Sequence, residues 1–187
     1  NCGVVEISIN VHYLQNQIRD FINERKFNAK IYISDEVELL LDTGGGVLKG
    51  TKNFNNNPFF VINPDTLWNK TYIEEAKKLE EIYSKNSKPS LLLVDKTLSL
   101  DTSFPGDFNL KERLVSKDIE NQLIFTGLHI TKRSFLDSEK SKVFSMNKVW
   151  GNLIKDKNLC GLESKQKFYH LNTFKMYNKI SSLKIID

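Results

Sequence analysis

The first thirty-four residues switch hydrophobic period twice, and that switch limits the fold more than any other feature of the chain. Val4 to Val11 alternates apolar and polar residues and favours β-branched types, which predicts a strand. Tyr13 to Glu24 places Leu14, Ile18, Phe21 and Ile22 at helical spacing. Lys30 to Ser34 returns to a strand pattern. A strand, a helix and a strand in so short a span imply parallel pairing with the helix packed on the sheet. The expected class is α/β: a Rossmann-like, mostly parallel (mixed) sheet with helices on both faces.

The rest of the chain extends this rhythm. Glu36 to Leu41 reads as a strand, followed by Asp42-Thr43-Gly44-Gly45-Gly46 as a loop and a helical turn or two over Val47 to Lys52. The all-apolar run Phe59 to Ile62 predicts a central strand buried on both faces, and Asn63-Pro64-Asp65 follows it directly. Ile73 to Tyr83 is the clearest helix, and Ser90 to Val94 is a buried strand. Lys96 to Gly106 has loop composition. Phe108 to Leu110 with Leu114-Val115 suggests a small hairpin, and Gln122 to Ile130 a long strand broken by Gly127. A helix over Val143 to Ile154, a short strand over Phe168 to Leu171 and a closing helix over Thr173 to Ile180, capped by Thr173, complete the reading. There are no repeats and no linker, so the 187 residues are expected to form one domain.

Composition excludes several function classes. The net charge of +4 comes from scattered Lys with no basic block, so nucleic acid is not expected as a partner. No apolar run approaches the roughly 20 residues that span a bilayer, and no signal-peptide pattern opens the chain. Cys2 and Cys160 show neither disulfide-framework nor zinc spacing. A cytoplasmic location without membrane attachment is the expectation.

Two motifs fall where open α/β sheets bind ligands, beyond the carboxyl ends of strands. In the first, Asp42, Thr43, Gly44, Gly45 and Gly46, three glycines would let backbone N–H groups approach a base or phosphate. The competing reading is a flexible turn. No Lys-Ser/Thr follows, so it is not a P-loop. In the second, Asp65 is a carboxylate held rigidly after a strand, suited to a magnesium ion that takes further ligands from substrate phosphates. An Asn-Pro turn would account for Asp65 equally well. Asp107, after Pro105-Gly106, is either a turn residue or a sugar-site residue. A lone His170 in an apolar stretch ordinarily plays a structural part.

Taken in order, Asp-Thr-Gly-Gly-Gly-Val, Phe-Phe-Val-Ile-Asn-Pro-Asp, Pro-Gly-Asp-Phe-Asn-Leu, Phe-Thr-Gly-Leu-His-Ile and Phe-Tyr-His-Leu-Asn-Thr resemble the NTP-transferase family of sugar-phosphate nucleotidyltransferases. The resemblance runs along essentially the whole chain. Within the family it is greatest to N-acetylmuramate-1-phosphate uridylyltransferases and mannose-1-phosphate guanylyltransferase-like proteins. It implies a Rossmann-like fold, Mg2+ as cofactor, and transfer of a nucleoside monophosphate from an NTP (UTP favoured, GTP the other candidate) to a sugar 1-phosphate with release of pyrophosphate. It implies that Asp42 to Gly46 bind the nucleotide, that Asp65 is the catalytic metal ligand, that Asp107 sits near the sugar, and that His170 occupies the position of a second metal ligand.

The sequence departs from the family pattern in places. Asp42 replaces a Glu. Pro64 replaces a Gly, which stiffens the turn and removes a donor. His170 replaces an Asp, and imidazole suits hard magnesium less well than a carboxylate. The family's first strand and Gly-x-Gly-x-Arg loop, with its Lys-Pro segment, have no counterpart, so the fold is expected to be N-terminally incomplete. Activity of this chain alone is then expected to be very low, since positioning and charge stabilisation carry phosphoryl chemistry. A separate N-terminal segment would be needed. The alternative is a non-catalytic remnant or a nucleotide-binding subunit of a split enzyme.

Overall fold

The computed structural model describes residues 3–183, so Cys2 lies outside the described residues. It divides into two compact units. One runs to Pro58 and takes in Lys132–Asn152; the other comprises Phe59–Thr131 and the chain from Leu153.

The first unit begins with the expected βαβ. Strand β1 (Glu6–Val11) pairs in parallel with β2 (Lys30–Asp35), and helix α1 (Gln15–Asn23) connects them. Among the described residues this sheet has two strands only. The next segment departs from expectation: residues 36–41 form no strand. Acidic side chains claim the backbone donors that a strand would use. Asp35 Oδ1 accepts from the Val37 N–H at 2.9 Å, and the buried Glu36 carboxylate accepts from the Leu41 N–H at 3.0 Å. Val37, Leu39 and Leu40 are left exposed. Helix α2 (Asp42–Gly50) follows, and the glycines expected in a loop form its first turns.

The second unit holds a six-stranded sheet in the order β3-β7-β4-β8-β6-β5. Its strands are β3 (Phe59–Ile62), β4 (Ser90–Asp95), β5 (Asn109–Lys111), β6 (Leu114–Ser116), β7 (Leu123–Thr131) and β8 (Cys160–Ser164). Only β4 and β8 pair in parallel; the other pairs are antiparallel, so parallel pairing is rarer than the sequence rhythm suggests. β4 is central, and Ser90 to Val94 are buried throughout. β3 is an edge strand rather than a central one, with Ile62 57% exposed. β8 has no counterpart in the sequence reading, because Cys160-Gly161-Leu162-Glu163-Ser164 is short and breaks period-2 alternation at Gly161.

Helix α3 (Tyr72–Asn86) lies on this sheet through Tyr72, Leu79 and Tyr83, which cluster with Leu92, Leu128 and Ile130. Removing a side chain such as the wholly buried Leu79 would cost roughly 2–5 kcal/mol. Buried Glu75 on the same helix is satisfied by the Ser164 hydroxyl, which donates to its carboxylate at 2.8–2.9 Å. Helix α4 (Met146–Lys155) and helix α5 (Phe174–Ser182) complete the set. Thr173 caps α5 as expected, its hydroxyl accepting from the Met176 N–H at 3.1 Å. Cys160 is a buried free thiol. No described helix is long and apolar enough to cross a membrane.

Candidate functional site

Asp65 and His170 are brought together by a short antiparallel bridge. The Leu171 N–H donates to the Asp65 carbonyl at 2.6 Å, and the Leu67 N–H to the Tyr169 carbonyl at 2.9 Å. On the other side of the same segment, the Phe168 N–H donates to Leu98 O and the Leu100 N–H to Phe168 O. Residues 168–170 are therefore extended, as expected, but bridge two flanking loops instead of joining the sheet. The loop after β3 is fixed just as firmly. The Asn63 N–H donates to Gly127 O at 2.8 Å, the Trp68 indole N–H to Asn63 O at 3.0 Å, and the Thr66 hydroxyl to Thr126 O at 2.8 Å. Gly127 permits this approach: its φ is +92°, and a Cβ there would stand 2.7 Å from Asn63 Cβ. β7 runs unbroken through Gly127, but its register against β4 shifts there, and that irregularity is tied to the placement of Asp65.

In this frame His170 Nε2 lies 3.0 Å from Asp65 Oδ2. The imidazole stacks on Phe168 (5.9 Å, 13°) and leans against Phe104 (5.5 Å, 53°). Asp65 Oδ1 and His170 Nδ1 are both buried and have no hydrogen-bond partner. An unpaired buried carboxylate oxygen is costly and marks a place where a ligand would be welcome. Asp101 stands nearby and escaped the sequence reading. It accepts from the Ser103 hydroxyl and N–H at 2.6 and 3.0 Å, and from the Asn172 amide at 3.4 Å. The Ser103 hydroxyl and N–H hold its pKa below the ordinary carboxylate value, with smaller help from Asn172 and the nearby His170. Its signal was the Asp-x-Ser spacing of an Asx turn.

Magnesium takes oxygen ligands and commonly one or two carboxylates, with phosphates and water supplying the rest. Among the described residues no group of three or more His, Cys, Asp or Glu side chains could hold a metal. The residues fit a cation bound through Asp65 Oδ1 and completed by substrate oxygens.

Asp107 stands apart from this pair. Its Oδ2 accepts from the Phe125 N–H at 2.9 Å and its own N–H donates to Leu123 O at 2.7 Å, which ties the chain before β5 to β7.

In the first unit, Asp42 to Gly46 are positioned by residues 142–146. The N–H groups of Gly44 and Gly45 both donate to Phe144 O, at 2.9 and 3.1 Å. The Thr43 hydroxyl accepts from the Met146 N–H at 2.9 Å, at the start of α4. The glycines have a packing reason. A Cβ on Gly44 would overlap the Phe144 ring, one on Gly45 would overlap the Lys142 carbonyl, and one on Gly46 would stand 2.9 Å from Glu36 Oε1. Glu36 is itself held by the Asn10 amide, which donates to it at 2.6 Å and to Gly46 O at 2.9 Å. The expected picture of free glycine N–H groups facing a ligand therefore does not apply to Gly44 and Gly45; Asp42 and Thr43 remain exposed. Beside this turn an open cleft of about 790 Å³ is lined by Asp35, Glu38, Leu41, Gly45, Lys49 and Lys142, among others.

No family model matches the sequence. The chain is 29% identical over 175 residues to the N-acetylmuramate alpha-1-phosphate uridylyltransferase of Caulobacter vibrioides, covering 87% of this chain and 71% of that protein. HddC from Yersinia pseudotuberculosis superposes with a TM-score of 0.73 at 20% identity, over 98% of this chain and 80% of HddC, and has also been solved with GMP-PN. A UDP-glucose pyrophosphorylase complexed with UDP-glucose superposes with a TM-score of 0.75 at 16% identity, over 97% of this chain and 81% of that one. By sequence this chain is thus similar to a sugar-1-phosphate uridylyltransferase, and its fold is that of the sugar-phosphate nucleotidyltransferases.

Proposed function

We propose that this chain is the main body of a magnesium-dependent sugar-1-phosphate nucleotidyltransferase, with UTP the favoured donor and a cytoplasmic site of action. The observation that carries the reading is Asp65, whose Oδ1 is buried and unpartnered, in a chain 29% identical over 175 residues to a uridylyltransferase. A phosphate oxygen of the sugar 1-phosphate attacks the α-phosphorus of the NTP. The bond to the β-phosphate bridging oxygen breaks, and pyrophosphate leaves with that electron pair. A bound magnesium ion would neutralise charge on the triphosphate. Asp65 would hold that ion through Oδ1. Asp42 and Thr43, exposed at the start of α2, and the cleft that includes Gly45, Lys49 and Lys142 form the nucleotide-binding part of the first unit in this reading, since Lys ammonium groups favour phosphate. Asp107 contributes its remaining carboxylate oxygen to the sugar; the Phe125 N–H uses only Oδ2.

The test is pyrophosphate release with Mg2+, each NTP in turn and a panel of sugar 1-phosphates, with this chain alone and with a family N-terminal segment fused to it. Release by the fused protein, strongest with UTP, is expected. Release by neither, with both folded, moves the assignment to a non-catalytic remnant. The occupied N–H groups of Gly44 and Gly45 favour that second reading.

A further inference from the structure

The sequence expectation put His170 on the metal itself, and the geometry points elsewhere. Its Nε2 faces Asp65 Oδ2 at 3.0 Å, inside hydrogen-bonding distance, so the ring is already committed to the carboxylate. The ring cannot readily turn away. Phe168 is stacked on it, Phe104 leans against it, and the backbone bridge through Leu171 N–H to Asp65 O locks the two residues in register. A carboxylate accepts only, so Nε2 carries the proton in this pair and has no lone pair for a metal; the lone pair left on Nδ1 is buried and does not face the carboxylate. Asp65 Oδ1 is then the oxygen left over.

Resting on the nucleotidyltransferase reading, we infer that His170 is a positioning residue: it donates from Nε2 to Asp65 Oδ2, orients the carboxylate, and leaves Oδ1 as the one protein oxygen of this pair offered to the cation. A carboxylate held by a ring N–H in this way is the usual support of a metal site, with the customary order of the two groups reversed. One consequence concerns binding order. A cation with a single carboxylate oxygen and no second anionic ligand binds poorly by itself and arrives with the triphosphate, whose oxygens complete its shell.

The experiment uses the full chain, Mn2+ as the probe cation and UTP as the triphosphate, and needs no turnover. Mn2+ alone should show no binding up to millimolar concentration, and Mn2+ with UTP should bind. Pulsed electron paramagnetic resonance of that ternary complex should show no coupling to an imidazole nitrogen. The 15N spectrum of His170 should keep a protonated Nε2 when Mg2+ and UTP are added. His170→Gln, which retains a donor near the Nε2 position, should hold Mn2+-UTP within about threefold of the parent, whereas Asp65→Asn should weaken it at least about tenfold. An imidazole coupling that disappears in His170→Gln overturns the inference, as does loss of the Nε2 proton on metal binding. Failure of Mn2+ to bind with UTP, in this chain and in the fused protein alike, overturns it as well. The spectra of the unaltered chain decide the matter even if a variant does not fold. Cation binding as expected without pyrophosphate release leaves this inference standing and removes the nucleotidyl-transfer reading instead.

Discussion

His170 Nε2 lies 3.0 Å from Asp65 Oδ2 because a two-bond backbone bridge places Thr66 opposite His170. Asp65 is therefore oriented without being consumed. In a catalytically competent form of the protein, Asp65→Asn is expected to lower kcat/KM by about two orders of magnitude or more, the scale of losing a group that organises transition-state charge. Thermal unfolding should move little, since Asp65 Oδ1 has no partner to lose. Pyrophosphate release and a melting curve on the same preparation check both halves.

Gly45 makes the contrasting case. Its added Cβ would overlap the Lys142 carbonyl oxygen, so Gly45→Ala must push residues 142–144 away from α2. Overpacking of this kind costs roughly 1–3 kcal/mol. Urea unfolding should show a lower midpoint for Gly45→Ala. Thr43→Val should cost less, on the order of 1 kcal/mol, because it removes only the acceptor for the Met146 N–H.

His129 offers a pH test. It is 2% exposed on β7, and burial pushes its pKa down to about 3. In the unfolded chain it titrates near its ordinary 6.5. Between those values the unfolded state takes up a proton that the native state refuses, so the native state is at its full advantage above pH 6.5 and loses it as the pH falls toward 3. The contribution approaches roughly 1.4 kcal/mol per pH unit inside that window. Urea-derived stability measured from pH 7 to pH 4 should fall less steeply in His129→Leu than in the parent.

Asp107 separates support from binding. Asp107→Ala removes the acceptor for the Phe125 N–H and should cost on the order of 1–2 kcal/mol. Asp107→Asn keeps an acceptor oxygen and should retain most of that stability. If the other carboxylate oxygen meets the sugar, Asp107→Asn should still raise KM for the sugar 1-phosphate several-fold with kcat little changed. An unaltered KM would leave Asp107 as a tie between β7 and the chain before β5.

What the sequence determined by itself is what depends on neighbours along the chain. Periodicity placed β1, α1, β2, α3, β4 and β7, and Thr173 announced the cap of α5; the interruption expected at Gly127 is instead a register shift against β4 within an unbroken β7. The order of short motifs was enough to reveal the resemblance to sugar-phosphate nucleotidyltransferases, and the position of Asp65 followed from the strand before it. Partners distant in sequence were decided only by the tertiary structure. Residues 36–41 have strand composition, yet the carboxylates of Asp35 and Glu36 capture the local N–H groups. Phe59–Ile62 has the composition of a central strand, yet sheet order leaves β3 at an edge. The glycine run suggested a ligand loop, yet Phe144, Lys142 and Glu36 fill the space its missing Cβ atoms leave. Whether His170 touches a metal or holds a carboxylate was never a property of its own segment: periodicity reports which face a side chain takes, and the tertiary fold determines what stands opposite it.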